Sequence, residues 1–388
     1  YWRFSLGNSE HPAGTEDDWA SELNGLVGDA VTSRLEADVP LGLFLSGGVD
    51  SSAVLSCAAD VQTPSSLNTF SIGFRETSFD ETPWAEEMAL RVGSTHHVEI
   101  CDLDAAQAEL PELLSRLDEP QGDPSILPTH LLCRFARKHV TVALSGDGGD
   151  ELFAGYDPFR VLKRAALYDQ VVPQPMHDAI RYVAGWLPRS DANMSFDFIL
   201  NRGLRGLKHP QSQWNPRWLG ALSPEDIGDL FNEPVAAEDL YSEAIAAWDA
   251  CESPHLVDKS LDFYTRFYLP DGILTKTDRA SMAVGLEVRS PFLANGVAEF
   301  AQRLPWQVKL KGRMTKWLLK RALKDRLPAN ILNRKKKGFG IPLSRWLRSM
   351  EPPQNSVPHA DPAWLKGRWK DHQSGKRDDR AALWCWMA

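Results

Sequence analysis

The chain reads as an α/β protein, a doubly wound parallel sheet followed by a largely helical C-terminal extension. Three observations predict this. Residues 20–155 alternate short β-branched runs with segments of helical periodicity, the pattern of repeated βα units. The apolar run Val39–Phe44 passes straight into Leu45-Ser46-Gly47-Gly48-Val49-Asp50-Ser51-Ser52 and then into a helical segment, so a strand, a glycine turn and a helix N-terminus follow one another. A second run, Val140–Leu144, passes into Ser145-Gly146-Asp147-Gly148-Gly149-Asp150-Glu151. Two polar glycine turns behind two strands belong at the carboxyl edge of one sheet, where open α/β sheets bind their ligands.

The elements follow in order. Ala20–Leu35 carries apolar residues at helical spacing and predicts a helix; Val39–Leu45 predicts a strand and Ser52–Asp60 a helix. Leu67–Phe74 is a strand and Thr82–Val92 a helix. His96–Ile100 is a short strand, Leu103–Leu117 and Thr129–Lys138 are helices, and Val140–Leu144 is a fourth strand. From Asp157 strand-like runs nearly vanish and helical periodicity dominates to about residue 325. Arg189–Trp218, rich in Asn, Arg, Gly and Pro, reads as loops and short helices, and Ser349–Pro362 as an irregular, mobile stretch.

Composition bounds the function. With 388 residues and 43% hydrophobic content, the chain is long enough for two or three domains with a sizeable core. A net charge of −9 argues against a general nucleic-acid binder. Five scattered cysteines without a C-x-x-C pair argue against a zinc knuckle or a disulfide framework and point to a reducing cytoplasm. No apolar run reaches transmembrane length and no signal peptide opens the sequence, so no membrane partner is expected.

The Leu45–Ser52 loop is built for anion capture. Its glycines let backbone approach a ligand, the helix N-terminus offers free N–H groups, and Ser46, Ser51 and Ser52 add hydroxyl donors. Asp50 repels phosphate unless a divalent cation lies between them, so the loop predicts Mg²⁺-pyrophosphate and hence ATP. It is not a Walker loop, because G-x-x-x-x-G-K-[ST] is absent from the chain. The second turn places three acids and three glycines in seven residues, a composition suited to a cation; Asp50 and Asp150 are therefore expected to share one Mg²⁺.

Several blocks carry a wider resemblance: LFLSGGVDSSAV, TFSIGF with FDETPWAEEMA, HHVEI, LDEPQGDPSILPTHLL, ALSGDGGDELFAGY, LPDGILTKTDRASMAVGLEVRSPFL, and KWLLKRAL followed by LPANILNRKKKGFGIPLSRWL. In this order they resemble the C-terminal synthetase domain of the glutamine-hydrolysing asparagine synthetase family, of the ATP-pyrophosphatase (adenine nucleotide alpha hydrolase-like) fold. The resemblance spans roughly Asp17 to Trp386. It implies that a substrate carboxylate attacks the α-phosphate of ATP and that ammonia displaces AMP from the acyl-adenylate, most simply converting aspartate to asparagine. It implies that Ser46, Gly47, Gly48, Asp50, Ser51 and Ser52 hold pyrophosphate, that Leu45, Ile72, Ser145 and Gly146 line the nucleotide pocket, and that Asp50 and Asp150 hold Mg²⁺. Lys316 aligns with the family lysine that contacts the transferring phosphates. Asp147 stands where many relatives have Glu, one methylene longer, and is expected to position substrate or ammonia.

The family normally carries an N-terminal glutaminase domain whose first residue is a nucleophilic Cys. The resemblance therefore makes residues 1–16, opening on Tyr1-Trp2, a remnant of the linker from that domain, with 17–156 the ATP-pyrophosphatase core and 157–388 a helical extension completing the site. It is compatible with a homodimer. Relatives of the same fold close β-lactam rings, cyclise peptides or amidate sugars, and a catalytically silent nucleotide-binding subunit is a further alternative. Lys276, Asp278 and Arg279 are candidates to reach the substrate carboxylate or to support its loop, Glu119, Gln121 and Asp123 to line the substrate pocket, and Arg334 with Lys335–Lys337 to attract anions. His96 and His97 are adjacent on a strand, so they point to opposite faces and read as structural.

Overall fold

The computed structural model describes residues 4–7, 11–354 and 357–388. The Tyr1-Trp2 pair lies outside the described residues. Five parallel strands form the main sheet: β1 (Leu41–Phe44), β2 (Asn68–Gly73), β3 (Thr95–Ile100), β4 (Val142–Leu144) and β5 (Glu287–Arg289), in the order β3-β2-β1-β4-β5. Helices α1 (Glu16–Arg34), α2 (Val49–Val61), α3 (Thr82–Val92), α4 (Leu103–Ser115) and α5 (Ile126–Arg137) accompany the first four strands. The sheet grows from β1 through β2 to β3 and then resumes on the other side with β4. The switch point therefore falls between β1 and β4, the strands that precede the two glycine turns.

The predicted strands and helices are present with shifted ends. Thr82–Val92 coincides with α3. Helix α1 begins earlier than its apolar pattern, because Thr15 and Asp18 form a capping box that fixes the start at Glu16. Strand β5 is the addition to the main sheet: it lies in a stretch read as helical. Gly285, at φ +67°, ends the helix Thr275–Met282, and three residues are too few to show a period.

The chain divides into two compact units. The first comprises Tyr1–Leu117, Ser125–Leu162 and Cys251–Lys336 and contains the sheet. Its core joins Leu23, Val27 and Val31 of α1, Val54 and Leu55 of α2, Leu43 of β1, and Leu318, Leu319 and Leu323 from the helix Trp317–Ala322 and its end. The second comprises Asp118–Pro124, Lys163–Ala250 and Lys337–Ala388 and is helical. There Trp384 donates its indole N–H to the carbonyl of Gln121 (2.7 Å), and Arg368 pairs with both Asp226 and Asp379. Among the described residues no helix is long and apolar enough to cross a membrane.

Candidate functional site

The first glycine turn leaves β1 and enters α2. Leu45 continues the ladder by donating its N–H to the carbonyl of Phe70 (2.9 Å), and its own carbonyl accepts from the hydroxyl of Ser71. Gly47 turns the chain at φ +63°, where a Cβ would overlap the backbone of Trp84, so only glycine fits. The hydroxyls of Ser46 and Ser51 are 3.1 Å apart, and Ser46 Oγ accepts from the N–H of Gly48 (3.3 Å). Gly48 caps α2 without any side-chain hydrogen bond, so the first N–H groups of this 13-residue helix are left for a ligand. The Ser52 hydroxyl is fully buried and has no partner. Ile72 is buried on β2.

The second turn leaves β4. Ser145 donates its N–H to the carbonyl of Arg289 on β5 (2.8 Å), and its hydroxyl donates to Oδ2 of Asp147 (3.0 Å) and meets the Ser290 hydroxyl at 3.1 Å. The same Oδ2 accepts from the hydroxyl of Thr277 (3.2 Å). Gly146 lies against Asp50. Asp150 sits in the first turn of the short helix α6 (Gly149–Leu152). Gly155 is required by close approach: a Cβ there would overlap both the Asp150 carboxylate and the Lys316 side chain.

The two turns meet on Lys316. Its Nζ donates to Oδ2 of Asp50 and lies 2.5 Å from Oδ1 of Asp150, an ion pair outside hydrogen-bond geometry. Lys316 is 5% exposed and is not within a helix. It follows the hairpin β6 (Leu310–Lys311) and β7 (Met314–Thr315), precedes the helix Trp317–Ala322, and holds φ +54°, a left-handed conformation that a non-glycine residue rarely adopts. Its N–H donates to the carbonyl of Phe153 (3.1 Å). Lys336 adds a second cation, 2.6 Å from Oδ2 of Asp150.

The electrostatics follow from this arrangement. Burial pushes the Asp50 carboxyl up; Lys316 opposes it and the like charge of Asp150 reinforces it. Burial would raise Asp150 too, but Lys316 and Lys336 outweigh it and hold that carboxyl well below the usual range. Partial desolvation would lower Lys336, and the charges of Asp150 and Asp50 more than reverse this. Glu151 is pushed up to about 7, first by burial and then by the adjacent Asp150, and accepts a hydrogen bond from the Tyr156 hydroxyl.

Oδ1 of Asp50 and Oδ1 of Asp150 are buried and accept no hydrogen bond. Asp50 Oδ1 and Asp150 Oδ1, the latter facing the Lys316 ammonium, are hard-oxygen donors of the kind that fits Mg²⁺, which commonly takes one or two carboxylates and completes its shell with water and substrate phosphate. Among the described residues no cluster of three or more potential ligands occurs, so water and phosphate oxygens would supply the remainder.

Arg334, Lys336, Thr277, Glu151 and Tyr156 were not assigned individual roles by the sequence. Arg334 is half-buried: it donates to the carbonyl of Ser46 (2.9 Å), pairs with Glu81 and lies over the Trp84 ring. Tyr156 stacks on Tyr264 (5.0 Å between centroids), which opens a π-helical stretch, Tyr264–Leu274. Such windings mark functional sites more often than chance, and Pro270 within a helical pattern was the available signal. Lys276 is buried and donates to the Ser125 hydroxyl (2.9 Å), whereas Asp278 and Arg279 pair at the surface (3.6 Å). Glu119, Gln121 and Asp123 belong to the second unit, where Gln121 accepts from the N–H of Asp123 (3.3 Å). His96 meets Thr69 (2.8 Å) and His97 meets Asn68 (3.0 Å), so the two rings diverge.

The sequence matches the asparagine synthase family model over residues 22–387. It is 31% identical to asparagine synthetase [glutamine-hydrolyzing] 1 of Bacillus subtilis over 395 residues, covering 96% of this chain and 59% of that protein. It is 35% identical to a putative asparagine synthetase [glutamine-hydrolyzing] of Mycobacterium bovis over 334 residues, covering 85% and 49%. A more distant relative, amidase chyE of Penicillium rubens, is 24% identical over 397 residues, covering 89% and 56%. The chain thus spans about half the length of these relatives, and with a family match running nearly end to end it belongs to the asparagine synthase family.

Proposed function

We propose that this chain is the synthetase part of an enzyme that makes an amide from a small carboxylic acid, ammonia and ATP, with AMP and pyrophosphate as co-products. Aspartate to asparagine is the simplest case. One observation carries the reading: Lys316 bridges Asp50 and Asp150 beside a serine-glycine loop that lacks a Walker lysine. In this reading residues 17–156 bind the nucleotide and residues 157–388 complete the site, chiefly through Lys316. The free N–H groups of α2 with Ser46, Ser51 and Ser52 cradle pyrophosphate, and Leu45, Ile72, Ser145 and Gly146 bound the nucleotide. Asp50 and Asp150 would hold Mg²⁺, which when bound neutralises the departing pyrophosphate. Lys316 meets the charge that builds as the α–β bond breaks. Asp147, held by Ser145 and Thr277, orients the incoming substrate or ammonia.

Relatives named as glutamine-hydrolysing support a glutaminase domain as the ammonia source. Five unpaired cysteines suit a reducing cytoplasm. The amidase name of the Penicillium rubens relative favours a second reading in which the acid is not aspartate. A pyrophosphate-release screen of carboxylic acids, with and without ammonia, tests both. Acid-dependent AMP and pyrophosphate are expected, and ADP as the major product would refute the reaction type.

A further inference from the structure

The second unit holds a cavity of about 800 Å³ whose lining belongs wholly to that unit and shares no residue with the Asp50–Asp150 cleft. Helices Gln174–Ala184 and Phe196–Gly206 line it together with the segment 371–382. The volume falls in the range of small-ligand sites, ~300–1,000 Å³. Seven basic and six acidic side chains line it, a near balance that disfavours a ligand of high charge of either sign.

Three features say what it would hold. Asp197 is 4% exposed, and its buried Oδ2 accepts no hydrogen bond; Arg189 Nη1 stands 3.8 Å away. A buried acceptor left unmet calls for a donor. The Arg181 guanidinium, by contrast, forms no hydrogen bond or ion pair among the described residues, and its charge is felt as repulsion by His177, Arg205 and His209. Other cations of the lining are committed: Arg202 and Arg205 donate to the carbonyls of Leu219 (2.6 Å) and Arg217 (2.7 Å), and Arg377 and Arg380 to Asp379 (3.1 Å) and Asp378 (2.6 Å). Arg181 is thus left for an anion, and one guanidinium suits one phosphate. At the mouth, Tyr182 and Trp186 are 66% and 73% exposed with ring centroids 5.2 Å apart. Large rings held together in water offer a platform for another flat ring. The Phe198 ring is already covered by the guanidiniums of Arg202 and Arg380.

We propose that this cavity binds a nucleoside monophosphate with an amino-bearing base. The base stacks on Trp186, its amino group donates to Oδ2 of Asp197, and its phosphate meets Arg181. The inference is independent of the reaction assigned to the Asp50–Asp150 cleft.

The test is a fluorine resonance titration of the whole chain labelled with 5-fluorotryptophan, with AMP as the probe. Trp186→Phe identifies the Trp186 signal among those of the 14 tryptophans. AMP should shift that signal saturably. Purine riboside monophosphate, which lacks the amino group, should bind roughly tenfold more weakly, because it leaves the buried carboxylate unmet. Asp197→Asn should weaken AMP to about the level of that analogue and abolish the preference between the two. Arg181→Met, a change at an exposed position, should weaken AMP several-fold and leave adenosine unchanged. A Trp186 signal unmoved by millimolar AMP overturns the proposal, as does a preference for AMP that survives Asp197→Asn. A response that Asp50→Asn abolishes also overturns it, because the shift would then be relayed from the other cleft.

Discussion

The backbone N–H of Lys316 donates to the carbonyl oxygen of Phe153 at 3.1 Å, and this bond holds the lysine in a left-handed conformation directly over the acidic turn. A strained residue kept in place by its surroundings at a charged cleft is a mark of function. Lys316→Ala should lower kcat by about 10²–10³-fold with a smaller change in KM for ATP, as for loss of a group that meets transition-state charge. Lys316→Arg should also be impaired, since a planar fork does not replace an ammonium between two carboxylates. Lys316→Gly should be as inactive as the alanine variant yet more stable by about 1 kcal/mol, because glycine adopts positive φ without strain. Steady-state kinetics and urea melts of the three variants check this. A KM rise at constant kcat would reduce Lys316 to ground-state binding.

Asp50 and Asp150 share Lys316, so their substitutions should not add. Asp50→Asn and Asp150→Asn should each lower turnover by about 10²-fold or more, with the double variant little worse than either single one. Kinetics across a Mg²⁺ series read this out. Wild-type activity in either single variant would remove that residue from the site.

Arg334 ties the 334–338 stretch to the pyrophosphate loop through the Ser46 carbonyl and Glu81. Arg334→Ala should loosen the loop and raise KM for ATP by roughly an order of magnitude, the effect of losing a partly buried charge-assisted bond. Arg334→Lys should not restore it, because one ammonium cannot reproduce both bonds of the fork. An unchanged KM in both variants would show that the loop holds its shape unaided.

Lys309 gives a pH signature remote from chemistry. It is fully buried, its Nζ has no hydrogen-bond partner, and burial lowers its pKa to about 8, with Asp258 opposing. Between about 8 and 10.5 the unfolded chain binds a proton that the folded chain does not, so stability should rise with pH across that window. Below it the cost of a buried charge is present in full. Lys309→Met should remove the rise and be the more stable protein at pH 7. Chemical denaturation at pH 7 and pH 9.5 tests the sign, and a wild-type protein that loses stability over this range for want of Lys309 deprotonation would contradict it.

The residues that sequence reasoning placed correctly are those whose neighbours along the chain explain them. Strands β1, β2 and β4 and helix α3 carry their burial in their own periodicity, and the two glycine turns carry their place at the strand ends in their composition. Strand β5 could not be read, because three residues have no period and its place is set by pairing with β4. Lys316 needed the family resemblance, since nothing in Met314–Trp317 signals that the chain turns left-handed and buries an ammonium there. Arg334 and Lys336 sit in a basic run that composition reads only as a whole, as a group to attract anions. Their partners, Ser46, Glu81 and Asp150, lie far back in the sequence, so only the folded chain distinguishes them from Lys335.

The order in which these charges occur along the chain has a consequence for synthesis. Asp50 and Asp150 are both made before any of residues 287–336, so the emerging polypeptide first holds two buried-to-be negative charges with neither lysine to neutralise them. Like charges at such spacing resist compaction. The sheet also lacks β5 until that late segment appears. Ribosome-bound fragments ending before residue 316 should therefore remain open to protease around the two turns, and those extended past residue 336 should become resistant. Equal resistance in both would mean that the acid pair imposes no such delay.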